Sequence, residues 1–280
     1  MIFDVFINPF ANYLFMKRAL IACIALSLGC TGVGLILILR RMSLMGDALS
    51  HSALPGVAIG YAVAGLSLPI MSLGGFIAGL TVALLAGATS RSTMLKEDAT
   101  FVGFYLIALA LGVVIISLKG TKIDLMHILL GSVLAINTNS LLLVTIITSI
   151  SIIILSLIYR PLILECFDSS FMYSINGKGQ IYHLLFIILV VANMVAALHT
   201  MGTLMALGLM MLPALGARFW GQEVPHLLKI SCLIALMSSY FGLVISYHMG
   251  WPSGASIILS AGLIYLISMI FGKFGIISKA

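Results

Sequence analysis

The sequence predicts an all-α polytopic membrane protein with roughly eight or nine transmembrane helices and one short re-entrant or surface helix. Three observations carry this expectation. Hydrophobic residues make up 62% and charged residues 8% of the 280 positions, and mean hydropathy is +1.24, so no polar shell exists to cover a soluble globule. Apolar runs long enough for a bilayer-spanning helix, about 20 residues, recur between short turns rich in Gly, Pro or charge. Those runs are continuous and do not alternate with period two, which argues for helices and against barrel strands. The whole chain, 1–280, reads as a single transmembrane domain.

In chain order, spans are expected near Leu14 to Leu39, Ala48 to Leu66, Pro69 to Thr89, Phe101 to Leu118 and Leu141 to Tyr159. After a polar stretch from Arg160 to Gln180, further spans follow near Ile181 to Leu198, Met201 to Phe219, Leu227 to Tyr247 and Ala255 to Phe271. The N-terminus lacks a basic n-region and a small-residue cleavage site, so the first run should persist as a mature span. Phe3 to Phe15 can form an interfacial helix before it. Asp124 to Ala135, about a dozen residues, is too short to cross a bilayer at about 1.5 Å per residue and reads as the re-entrant or surface helix. The small-residue pairs Gly56/Gly60 and Gly75/Gly79 permit close helix contact.

The formal net charge of +6 comes from Lys and Arg dispersed singly at helix ends, with no basic stripe, so nucleic acid is not an expected partner. With the N-terminus outside and the C-terminus cytoplasmic, most of these cations face the cytoplasm, leaving Lys17, Arg18, Lys119 and Lys122 outside. Cys23, Cys30, Cys166 and Cys232 show no CxxC spacing and are assigned no chemistry.

The chemistry is expected in RRMSLMGDALSHSALPGVAIGY. His51 follows Asp47 by four residues, so on a helix the carboxylate and the imidazole share one face and make half of a metal site suited to zinc or manganese. An ionisable pair inside a membrane is costly unless it faces a cavity or binds an ion. The plainer reading makes Asp47 an N-cap for a helix beginning at Ala48, with His51 satisfied by backbone. Pro55 removes the helical donor to the His51 carbonyl and should kink the helix there. His199 and His248 end spans on the outer face beside Met201 and Met249; they are secondary metal candidates, with interfacial packing the alternative. His127, His183 and His226 are assigned no role.

The cytoplasmic loop at about residues 160–180 contains FDSSFMYSINGKGQ, whose first part can form a short amphipathic helix before Gly177 terminates it. It reads either as an ordinary connection or as a docking element for a partner. No GxxxxGK[ST] occurs in the chain, and GKG at Gly177 to Gly179 lacks the upstream glycine and flanking strand, so ATP binding is not expected here. Serine-nucleophile, HExxH and GxGxxG arrangements are absent or lack context, which leaves little support for an enzyme.

The segment around Asp47, with its GDxxxH-LPG pattern, resembles the second span of the permease family of bacterial ABC importers for zinc, manganese and iron. MGTLMALGLMMLPALGARFW is similar to the family's Gly-rich span, with Pro213 a second candidate kink or gate beside Pro55, and PSGASIILSAGLIYL to its C-terminal part. The loop occupies the place of the family's coupling helix, which assigns Phe167, Asp168, Phe171, Met172, Asn176 and Gly177 to ATPase coupling; the usual Ala reads Met172 or Tyr173 here.

The resemblance implies a homodimer in the bacterial cytoplasmic membrane, two ATP-binding subunits beneath it and an extracytoplasmic metal-binding protein that delivers the ion. No cofactor is held permanently; a divalent cation, zinc or manganese and also iron, is the cargo. Two copies of Asp47 and His51 would then face one axis. The rivals are a proton-coupled secondary carrier using Asp47 as a relay, an ABC importer of bulky metal chelates, and a structural scaffold.

Overall fold

The computed structural model describes residues 6–65, 67–94, 97–118, 136–167 and 179–277. Its plan follows from one helix. After the short α1 (Asn8–Asn12), Tyr13 turns extended and α2 (Leu14–Leu39) runs for 26 residues without proline. The Thr31 hydroxyl donates to the Ser27 carbonyl, so this polar group is satisfied within the helix. Some 78% of the apolar stretch of α2 lies buried, against 22% for the fourth span, which places α2 at the centre of the bundle.

The helices around it are α7 (Thr138–Phe167), α8 (Gly179–Met201), α9 (Thr203–Ala217) and α10 (Val224–Met249). Glycines on α2 set the approach. Gly34 backs onto the Met210 carbonyl of α9, where any Cβ would collide, and Gly29 lies beside Thr148 and Asn193. The buried Asn193 amide donates to Ser151 Oγ and to the Leu189 carbonyl, each at 2.8 Å, tying α8 to α7. Outside this core lie α5 (Leu68–Ser92), α6 (Glu97–Leu118) and α11 (Ser253–Phe271).

Seven of the described helices are long and apolar enough to cross a membrane: α2, α5, α6, α7, α8, α10 and α11. The two remaining expected spans take other forms. The second is a broken pair, α3 (Ser43–Ser52) and α4 (Leu54–Ala64), interrupted at Ala53. The one expected over Met201 to Phe219 is the 15-residue α9, shortened because Gly202 leaves helical geometry at φ 85°. Gly250 (φ 67°) closes α10, its N–H donating to the Ser246 carbonyl at 3.0 Å. The polar stretch expected from Arg160 onward is instead helical through Phe167, with Pro161 inside α7. Of the interfacial helix foreseen over Phe3 to Phe15, the described residues contain α1, where Phe10 stacks on Tyr240 at 5.3 Å. Asp124 to Ala135 lies outside the described residues.

The bundle has a basic end. Arg40 closes α2 there, Arg91 ends α5 beside Glu97, and Arg218, Lys229 and Lys273 flank the α9–α10 turn and the end of α11. Leu35, Ile38, Ala214, Ala217 and Leu227 form a small core that joins these ends. Lys17 and Arg18 belong to the other end, where Tyr13 meets Tyr247.

The pairing of small residues expected between spans is realised as backbone contact between α4 and α5, where Gly56 meets Gly74. Gly56→Val should lower the melting temperature of the purified protein in detergent, overpacking of this kind costing about 1–3 kcal/mol. Val63→Ala, at a position 78% exposed, should leave it unchanged.

Candidate functional site

The chain leaves α2 through Arg41, a non-glycine residue at φ 60°, and restarts as α3 with Met42 at the N-cap position. Asp47 therefore sits inside α3, and the N-cap reading falls. Gly46 lets α3 approach Met194, Leu207 and Met211, while the Ser50 hydroxyl donates to the Gly46 carbonyl at 2.9 Å. Ionisable and apolar faces are thereby fixed by one helical register.

Asp47 Oδ1 and His51 Nε2 are 3.6 Å apart, too far for a good hydrogen bond. Two donors bound to one tetrahedral ion at zinc-like bond lengths lie about 3.4 Å apart, so the spacing suits a shared cation. Asp47 is 50% exposed and His51 27%, so the pair opens outward from the single chain. The imidazole stacks on Tyr105 of α6, ring centroids 6.1 Å apart at 29°, and its Nδ1 is buried with no hydrogen-bond partner among the described residues. Two protein donors do not complete a coordination shell. Among the described residues no group of three or more His, Cys, Asp or Glu is placed to hold a metal.

The kink expected from Pro55 is a full break. Ala53 turns its N–H back to the His51 carbonyl, Pro55 occupies the first turn of α4, and helical bonding resumes with Val57 N–H to the Ala53 carbonyl at 3.0 Å. Pro213 behaves differently: α9 continues through it to Ala217.

His248 ends α10 with its ring 5.2 Å from Tyr247, and α10 is not among the helices on which α3 packs closely. The structure does not bring His248 to Asp47. Nothing is described of the His199 side chain. Phe167 is the exposed last residue of α7, while Asp168, Phe171, Met172, Asn176 and Gly177 lie outside the described residues. Sequence reasoning missed Tyr105, because a contact between separate spans leaves no spacing signal in the chain.

An apolar helical bundle with an ionisable pair beside a broken helix is the architecture of a membrane transport protein. The chain belongs to the ABC 3 transport family, whose model matches residues 12–272. It is 34% identical over 276 residues to the manganese transport system membrane protein MntC of Halalkalibacterium halodurans, covering 98% of this chain and 93% of that one. It is 32% identical over 276 residues to the chelated iron transport system membrane protein YfeC of Yersinia pestis, covering 98% and 92%. Among solved structures, PsaBC from Streptococcus pneumoniae in complex with Fab superposes with a TM-score of 0.85 at 28% identity, covering 98% of this chain and 97% of that chain.

The Tyr105 ring covers one side of His51. Tyr105→Ala should raise the rate of diethyl pyrocarbonate modification at His51 several-fold, read by peptide mass spectrometry, with His226 as the exposed internal standard.

Proposed function

We propose that this chain is the membrane permease of an ABC importer that moves a divalent transition metal across the bacterial cytoplasmic membrane. The observation that carries this reading is the Asp47–His51 pair, 3.6 Å apart on the open side of a broken helix. The names of the relatives favour manganese or iron as cargo; zinc also suits an imidazole–carboxylate set.

A carboxylate half-exposed on an apolar bundle is costly in lipid, which supports a homodimer in which two copies of Asp47 and His51 face one axis. Four side chains then surround the ion, and weak coordination lets it leave. Nine spans result when α3 with α4 counts as one and α9 as another. The basic end lies in the cytoplasm, the N-terminus outside, and an extracytoplasmic metal-binding protein delivers the ion to the far face. Two ATPase subunits dock on the loop containing Asp168, Phe171, Met172, Asn176 and Gly177, with Phe167 at its root. Their closure on ATP reorients the permeases around the axial pair, with the break at Pro55 and the span around Pro213 as the points that yield.

Proteoliposomes carrying the permease with its ATPase subunit should accumulate Mn²⁺ or Fe²⁺ only with ATP and the binding protein. Asp47→Ala and His51→Ala should each reduce uptake to the level of vesicles lacking ATP while the complex still assembles. Wild-type uptake by either variant overturns the site. ATP-independent uptake by the chain alone would instead favour a proton-coupled carrier with Asp47 as its relay.

A further inference from the structure

A second set of ionisable groups lies at the basic end, away from the Asp47 face, and four helices contribute to it. Arg40 closes α2, Glu165 belongs to the last turn of α7, His183 to the start of α8 and Glu97 to the first turn of α6. Arg40 Nη2 donates to Glu165 Oε2 at 2.8 Å, and Nη1 meets His183 Nδ1 at 2.5 Å. The opposite ring nitrogen, Nε2, faces Glu97 Oε1 at 3.2 Å. Arg40 Nε donates to Cys166 Sγ at 3.2 Å, and the guanidinium lies over the Phe186 ring at 4.9 Å.

These charges are withdrawn from solvent: the side chains of Arg40, Glu165, His183 and Glu97 are 8%, 12%, 14% and 28% exposed. Ionisable groups buried among apolar helices are costly, and an ion pair adds little to stability over apolar packing of the same volume. What the arrangement supplies is geometry. Arg40, with a partner at each of its three guanidinium nitrogens, ties the end of α7 to the start of α8, the two helix ends that flank residues 168–178. Arg40 donation to Nδ1 leaves the proton of a neutral His183 on Nε2, turned toward Glu97. Glu97 Oε1 has no aligned hydrogen bond among the described residues, so this joint is the loosest of the set.

From Glu97, α6 runs about 12 Å to Tyr105, the residue stacked on His51. One continuous helix thus has its end held against the ends of α7 and α8 and its middle against the His51 imidazole. We propose that Arg40, Glu165, His183 and Glu97 are positioning residues that hold α6 to the facing ends of α7 and α8, so that displacement of those ends by the ATPase reaches His51 through α6 and Tyr105. This rests on the reading of 168–178 as the ATPase contact, and it assigns a role to α6 and to His183 that the loop itself does not contain.

The test compares Glu97→Gln and His183→Gln with wild type in proteoliposomes carrying the ATPase subunit, scoring Mn²⁺ moved per ATP hydrolysed. The ratio should fall about tenfold in each variant, within the range that coupling between sites reaches, while ATP hydrolysis continues. The double variant should lose no more than either single one, since both break one joint. Lys229→Gln, an exposed cation at the same end, should keep the wild-type ratio. If uptake and hydrolysis fall together with the ratio unchanged, the cluster is only structural and the proposal is overturned.

A second readout needs neither ATPase nor metal. In the purified permease alone, Glu97→Gln should speed hydrogen exchange in 97–105 and 179–186 together, and an unchanged pattern also overturns the proposal. A wild-type complex that hydrolyses ATP but moves no Mn²⁺, Fe²⁺ or Zn²⁺ would sink the transport reading alone, leaving the exchange measurement to judge the joint.

Discussion

Hydrocarbon offers a peptide group no partner, so every N–H and C=O in the membrane must be paired inside the protein. Among the described residues the seven long helices obey this by running unbroken, while the second expected span is interrupted at Ala53. The rest of the architecture depends on how that break is housed. Gly74 lies directly against Gly56 just beyond it, and Gly112 of α6 leaves room for the Pro55 ring. The Ala53 N–H turns to the His51 carbonyl, so this buried donor is paired locally. His51 thus stands in the last turn before a corner that its neighbours brace.

The two ionisable sets differ in how they are built. Asp47 and His51 sit apart, partly open, and with donor capacity unspent, as the proposed transient ligand pair would require. Arg40 and Glu165 are close, enclosed and hydrogen-bonded, which is what a fixed joint requires. The first set lies along the side of α3, where a neighbour or an ion can reach it. The second is shared among helix ends that no single helix could hold in register.

Much of this was legible in the chain before any coordinates. Continuous apolar runs foretold the helical bundle, and the four-residue spacing placed Asp47 and His51 on one face, because both are properties of a single helix. What depended on neighbours was hidden. The Asp47 cap reading failed because the start of α3 is set by the Arg41 turn, whose left-handed backbone no composition rule would assign to arginine. Helix α7 continues through Pro161, and Glu165 and Cys166, one turn beyond, are held by Arg40 from another span. The sequence assigns His183 no role, since nothing in the order of Arg40, Glu97, Glu165 and His183 along the chain records that they meet.

The short helix α9 carries a consequence for how the protein is made. Its 15 residues extend for roughly 22 Å, less than the hydrocarbon thickness of about 30 Å, so it is a poor candidate to enter lipid alone. In the finished fold it is enclosed by α2, α3, α8, α10 and α11, and the mismatch is met by protein instead of lipid. Two of those enclosing helices are synthesised after it. Secure placement of α9 therefore awaits α10 and α11, and until then the apolar α8, joined to it through Gly202, is its only covalent anchor on the side already made. A chain cut short after residue 223 would lack the walls that keep this helix in the bilayer.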